Sequence, residues 1–167
     1  MADQSKFNFL LQAALTGYRS LEWLPIFVAR FSMGLFFCVS GYNKLFIVEK
    51  HEDLIKLMAK IGLPLPDLMA LFLGSVEFFG GIFLMIGLLN TLCAIALTIA
   101  MIVAIITVEI DLIIPKGIGF FDWMSWFLYL PQVMYVIIFI WLMTTGPGRF
   151  SIDHIIVRKM AGDITQT

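Results

Sequence analysis

Two ionisable residues stand inside long apolar runs of this chain, Arg30 and Glu77. A charge in hydrocarbon costs about 2.5–3.5 kcal/mol on insertion scales, so such a residue marks either a function or a compensated partner. An arginine and a carboxylate at one depth can neutralise each other. In a pocket they can also donate hydrogen bonds to a small ligand or pass a proton. Arg30, Gly34, Cys38 and Gly41 recur at helical spacing, and Lys44 continues that face. Gly74, Glu77 and Gly81 share a face of the second run. Glycines beside a charge let a backbone or a ligand come close. Each charge lies nine residues from the start of its run, a descent of about 14 Å at the helical rise. In a core about 30 Å thick both fall near the midplane, so an Arg30–Glu77 ion pair is feasible. Two readings follow. The pair fixes helix register, or it lines a polar pocket for a small redox ligand or a proton path. A buried pair often adds no net stability over apolar packing, so stability alone does not explain it.

Other chemistries lack their residues. Cys38 and Cys93 are not in a Cys-x-x-Cys arrangement and are expected as small buried hydrophobes. His51 and His154 lie outside the apolar runs, so no haem ligation is expected, and no metal cluster. There is no glycine-rich phosphate cradle, no Ser/His/Asp set and no Glu-x-x-His pattern, and no nucleotide site is expected. Glu109, Asp111 and Asp122 stand at the ends of runs and are expected as solvated interface residues. The net charge of −1 carries no basic patch for nucleic acid.

The elements that must position these charges follow from composition. Of 167 residues, 60% are hydrophobic and 14% charged, against about 45–50% and about 25% in soluble domains. Mean hydropathy is +0.96. A soluble chain of this size cannot bury that much apolar surface, which excludes a soluble globular enzyme and a disordered chain. The expected fold is all-α, an integral membrane four-helix bundle. Four stretches satisfy the roughly 20-residue requirement, at about 21–42, 68–89, 91–108 and 123–145. Pro131 is expected to kink the fourth. Only Leu89-Asn90-Thr91 separates spans two and three, which predicts a tight antiparallel hairpin. Ala96, Ala100 and Ala104 mark a close-packing stripe on span three. Trp23, Trp123, Trp126, Tyr129 and Trp141 are expected as interfacial anchors.

Between spans one and two, residues 47–61 place Ile47, Leu54, Ile55, Met58 and Ile61 on one helical face and charges over much of the rest. This predicts an amphipathic helix at the membrane surface. It reads as a solvated linker, with a lid over a site in the bundle as the alternative. Residues 1–20 are expected as a polar N-terminal segment with no removable signal peptide, and 146–167 as a C-terminal tail. In the tail, Gly146-Pro147-Gly148 stops span four, Ser151 or Asp153 can cap a short helix through Arg158, and Arg149 can meet headgroup phosphates or Asp153.

Several short runs, taken together, resemble a known family. They are Arg30 with Gly41-Tyr42-Asn43-Lys44-Leu45, Gly62-Leu63-Pro64-Leu65-Pro66, Glu77 with Gly80-Gly81, Ile86-Gly87-Leu88-Leu89, Met101-Ile102-Val103-Ala104, and Gly146-Pro147-Gly148-Arg149-Phe150-Ser151-Ile152-Asp153. In order and spacing the chain resembles DoxX family membrane proteins over about 24–156. The resemblance implies a four-helix protein of the bacterial or archaeal inner membrane. It also implies a link to thiosulfate:quinone oxidoreductase, quinol-oxidase or thiol redox-stress complexes. Arg30, Lys44, Glu77 and Asp153 match recurring polar positions of the family and are the candidate ligand-binding residues. Some redox-linked relatives carry paired cysteines, which this chain lacks.

The function expected from this combination is that of a small membrane subunit of a quinone-linked oxidoreductase. A mid-membrane pocket would take a quinone or small redox ligand. Arg30 and Lys44 would donate hydrogen bonds, Glu77 would relay a proton, and a membrane or soluble redox partner would supply electrons. The alternative is a non-enzymatic scaffold or binding module for a partner protein, or a small-solute transporter working as a homo-oligomer. Lys6, Arg19, Arg149, Arg158 and Lys159 balance Lys44, Lys50, Lys56, Lys60 and Lys116 across the bilayer. Arg30 tips this count if it lies near an interface, and both termini are expected in the cytoplasm.

Overall fold

A computed structural model of the chain describes residues 23–146, 148 and 151–164. These residues form helices and no strands. They are α1 (Trp23–Phe46), α2 (Val48–Lys60), α3 (Pro66–Ile86), α4 (Asn90–Leu112), α5 (Phe120–Tyr129), α6 (Pro131–Thr145) and α7 (Ile152–Ile164). Three of them, α1, α3 and α4, are long and apolar enough to cross a membrane. The polar segment 1–20, Arg149 and the start of span one lie outside the described residues.

α1 and α3 form the tightest pair, antiparallel and staggered by their glycines. A Cβ on Gly34 would lie 2.7 Å from the carbonyl oxygen of Gly81 and from the backbone nitrogen of Met85. A Cβ on Gly41 would run into the backbone of Phe78 and Gly74, and one on Gly81 into that of Cys38. The two glycine faces legible in the sequence do meet, but their register separates the two buried charges. Gly34 faces Gly81 and Met85, and Gly41 faces Gly74 and Phe78. Ser40 therefore stands level with Glu77, and Arg30 with Gly87. Ten residues of α1 separate Arg30 from Ser40, about 15 Å along the axis. The Arg30–Glu77 pair does not form. Counting depth from the ends of apolar runs assumed equal and opposite offsets, whereas backbone contact between the glycines sets the real one.

α3 ends on Gly87, a left-handed C-cap with φ +70°. Leu89, also left-handed at φ 51°, then leads into α4, so the predicted hairpin forms. α4 runs farther than the predicted third span. It passes through a π-helical turn, Ile105–Glu109, and takes in Glu109 and Asp111. α4 packs along α6: the Asn90 side-chain amide donates to the Leu142 carbonyl at 3.3 Å, and Ile105 packs with Val133. α6 thus runs antiparallel to α4, back toward the end of the molecule where α1 begins. The core between them holds Leu84, Ala94, Leu97, Phe139 and Leu142.

The fourth span is not one kinked helix. Leu130 is extended, with ψ 121°, as the residue before a proline must tend to be. Pro131 opens a separate helix, and α5 and α6 meet at 65°. α6 alone has 15 residues, about 22 Å, short of a hydrocarbon core. The described residues hold three continuous helices long and apolar enough to cross a membrane, and up to four such spans if this bent pair counts as one.

α2 packs on α1 and α3. Its buried side is Met58, flanked by the partly buried Leu54 and Leu57, while Glu52, Asp53 and Lys56 are exposed. The alanine stripe of α4 does not close-pack. Its buried positions are Cys93, Ala94, Leu97, Thr98 and Met101, one step round from Ala96, Ala100 and Ala104, which face an open space.

Candidate functional site

That open space is a cavity of about 620 Å³ lined by α1, α3, α4 and α6, with α2 along one end. Its volume lies in the range of small-molecule sites. Phe36 and Phe37 of α1, Val76 of α3, the three alanines of α4 and Tyr135 of α6 are among its lining. The Tyr135 ring centroid lies 5.0 Å from that of Phe36 and 5.6 Å from that of Phe37, forming an aromatic side. Leu54, Leu57, Met58 and Ile61 line the end under α2. The helix expected as a solvated linker thus lines the cavity with apolar side chains while Glu52, Asp53 and Lys56 stay exposed.

One polar cluster stands in this apolar wall. Glu77 is 1% exposed. Its Oε1 accepts from Lys44 Nζ at 2.5 Å, and its Oε2 accepts from Lys44 Nζ at 2.6 Å and from Ser40 Oγ at 2.8 Å. The Lys44 side chain is 26% exposed, and both members of the pair line the cavity. A buried carboxylate is tolerable only when its oxygens are satisfied, and these are. Small residues make the approach possible: Gly41 and Gly74 bring α1 and α3 close enough for a lysine four residues past Ser40 to reach the carboxylate. The His51 ring shares its Nδ1 with the Lys44 carbonyl at 2.8 Å, which ties the start of α2 to the end of α1.

Arg30 and Asp153 are not part of this cluster. Arg30 is 1% exposed at the other end of α1, its guanidinium against Gly87, where a Cβ would lie 2.7 Å from Nη1. Asp153 is the acidic group whose charge acts on it. The Asp153 carboxylate accepts from the backbone N–H groups of Leu89 and Asn90, each at 2.8 Å, and its own N–H donates to Gly87 at 3.0 Å. It caps α4 from a distant helix and pins α7 to the α3–α4 turn. Ser151 caps α7 itself, its Oγ accepting from the His154 N–H at 3.0 Å. Of the four candidate residues, Lys44 and Glu77 line the cavity together, and Arg30 and Asp153 hold the opposite end of the fold.

The cavity contains polar residues that sequence reasoning did not select: Ser40, Thr107, Glu109, Gln132 and Tyr135. Glu109 was expected as a solvated interface residue. It is half-buried, and its Oε1 accepts from Gln132 Nε2 at 2.6 Å. A glutamine following Pro131 inside an apolar run was the available signal, because such a side chain needs a partner. Among the described residues no group of three or more His, Cys, Asp and Glu is placed to hold a metal ion.

A family model described as DoxX matches residues 26–110, half of the chain. The match takes in Arg30, Lys44, Glu77 and Glu109 and stops before Gln132 and Asp153. No curated protein and no solved structure matches the chain.

Proposed function

The chain belongs to the DoxX family, and from that premise we propose that it is a small membrane subunit of a quinone-linked oxidoreductase whose cavity takes the quinone. The observation that carries the proposal is the Lys44–Glu77–Ser40 cluster set in a mainly aromatic and aliphatic cavity of about 620 Å³. The residues present fit such a group. Phe36, Phe37 and Tyr135 offer ring contacts on one side, and the alanines of α4 leave room on the other. Lys44 has three N–H donors. Two are committed to the Glu77 oxygens, and the third is left for a carbonyl acceptor. When bound, a quinone accepts two electrons and two protons. The chain's own residues hold its ring, orient one carbonyl through Lys44 and keep water out through α2, while a partner protein supplies the electrons.

The same reading makes the molecule a four-helix bundle with α5 and α6 as a broken fourth span and α2 as an amphipathic lid at the membrane surface. It sits in a bacterial inner membrane with both ends in the cytoplasm. Two placements support that orientation. Lys44 is engaged inside the bundle by Glu77, so it drops out of the loop count. Arg30 lies level with the α3–α4 turn, at the end of the molecule bearing α7. The positive-inside balance then favours the termini side.

The test is a mass-spectrometric inventory of quinone retained in mild detergent, with quinone titrations of wild type and Lys44→Met. Loss of a charged hydrogen bond is expected to weaken binding roughly tenfold or more. A wild type that retains and binds no quinone, with unchanged quinone reduction in Lys44→Met membranes, overturns the proposal. A stoichiometric soluble partner without quinone would then indicate a scaffold, and solute uptake by proteoliposomes a transporter.

A further inference from the structure

Glu77 is poorly suited to loading and unloading protons. It is enclosed, and its two oxygens accept three hydrogen bonds. A second carboxylate on the same cavity has the opposite character. Glu109 is half-buried, close to the C-terminal end of α4, where Asp111 is already exposed. It takes one side-chain hydrogen bond, from the neutral Gln132, and among the described residues no cation lies within ion-pair distance of it.

It lines the cavity from within a π-helical turn. Ala96, Ala100 and Ala104 follow one another at four-residue steps along the cavity face. Four further residues would continue that stripe to Val108. Val108 does line the wall, and within the π-helical turn Ile105–Glu109 the next residue, Glu109, lines it as well. Such single π turns recur at functional sites, because they re-aim a side chain at the cost of one regular hydrogen bond.

We propose that Glu109 is the proton-exchange group of the cavity, taking a proton from water at the α5 end of the bundle and releasing it inside. The carboxylate is protonated from the aqueous side, the acid gives that proton to a basic oxygen in the cavity, and the carboxylate is restored. Gln132 is the positioning residue that holds it at the wall. The polar groups that share the cavity with it are Gln132 and Tyr135 from α6, Lys44 and Ser40 on α1, Glu77 on α3 and Thr107 on its own helix, while Asp111, near the end of that helix, pairs with Lys116 beyond it. α2 contributes only apolar side chains to the cavity.

The inference rests on the cavity being a working site, and its experiment separates the two. Infrared difference spectra of the full chain in proteoliposomes, recorded across pH and in heavy water, are compared for wild type, Glu109→Gln, Glu109→Asp and Lys44→Met. The expected result is a titrating, exchangeable carboxylic-acid band that disappears in Glu109→Gln, shifts in Glu109→Asp and persists in Lys44→Met. In membranes, Glu109→Gln is expected to slow quinone turnover at least tenfold and flatten its pH profile, leave quinone affinity within twofold, and be partly rescued by Glu109→Asp. A band that survives in Glu109→Gln, or quinone turnover with an unaltered pH profile, overturns the proposal. A band assigned to Glu109 in a protein that binds no quinone retains the exchange group and removes only the quinone reading.

Discussion

At the scale of the residue, the buried charges divide into two clusters with different physics. Lys44 and Glu77 face each other in a wall of apolar side chains, so neither is well replaced alone. Lys44→Met is expected to leave an uncompensated buried carboxylate and to cost about 3–5 kcal/mol. The double variant Lys44→Met with Glu77→Leu should recover most of that loss, because a well-packed apolar pair of similar volume is often neutral or stabilising. Unfolding in mixed detergent micelles measures both, and a double variant no more stable than Lys44→Met would show that the pair is not isolated. Asp153 acts on backbone rather than on a ligand. Asp153→Ala should cost about 0.5–2 kcal/mol, the value of a helix cap, and leave quinone affinity unchanged in the titration that Lys44→Met fails.

Elements set what those residues can reach. α1 and α3 touch backbone to backbone, so a side chain at Gly34 or Gly41 must move a helix rather than a rotamer. Gly41→Leu is expected to cost at least about 1–3 kcal/mol as an overpacking substitution. It should also draw Lys44 away from Glu77, weakening quinone binding as Lys44→Met does. Gly62→Ala is the control: a Cβ there meets nothing, although φ +76° makes it a strained turn residue. Comparing quinone affinity in the two variants distinguishes a lost helix register from a strained turn. The glycine and charge faces of α1 and α3 were legible in the sequence because both follow helical spacing. The break at Leu130–Pro131 was legible only as a kink, since the bend depends on how α5 and α6 pack rather than on proline alone.

Over the whole molecule, the two charged clusters mark two ends. The α3–α4 turn, the start of α1 and α7 share one end, tied by Asp153 and by Gly148, which sits beside Ile26. α2, the end of α4 and α5 share the other. This arrangement predicts opposite labelling of single cysteines placed in a background with Cys38 and Cys93 replaced by alanine. A cysteine at Lys159 should react only from the cytoplasmic face, and one at Lys56 only from the opposite face, with an impermeant thiol reagent on intact cells and inverted vesicles. Labelling of both from one face would reject the antiparallel return of α6. Both positions are exposed, so neither substitution disturbs the packing.

By itself the sequence determined the solvent of this protein, its helical character, the family resemblance and the positions where charge enters the apolar runs. Those properties depend on local composition and periodicity, which a linear string carries in full. Tertiary structure decided which charges meet. It placed Glu77 with Lys44 instead of Arg30, sent Asp153 to cap a helix 63 residues away, set the apolar side chains of α2 against a cavity and brought Glu109 to its wall. The offset between α1 and α3 comes from glycine backbones in contact, and the partner of Glu109 from the packing of α4 beside α6. Neither quantity is a property of any single run of residues, so the site emerges only when the helices are packed.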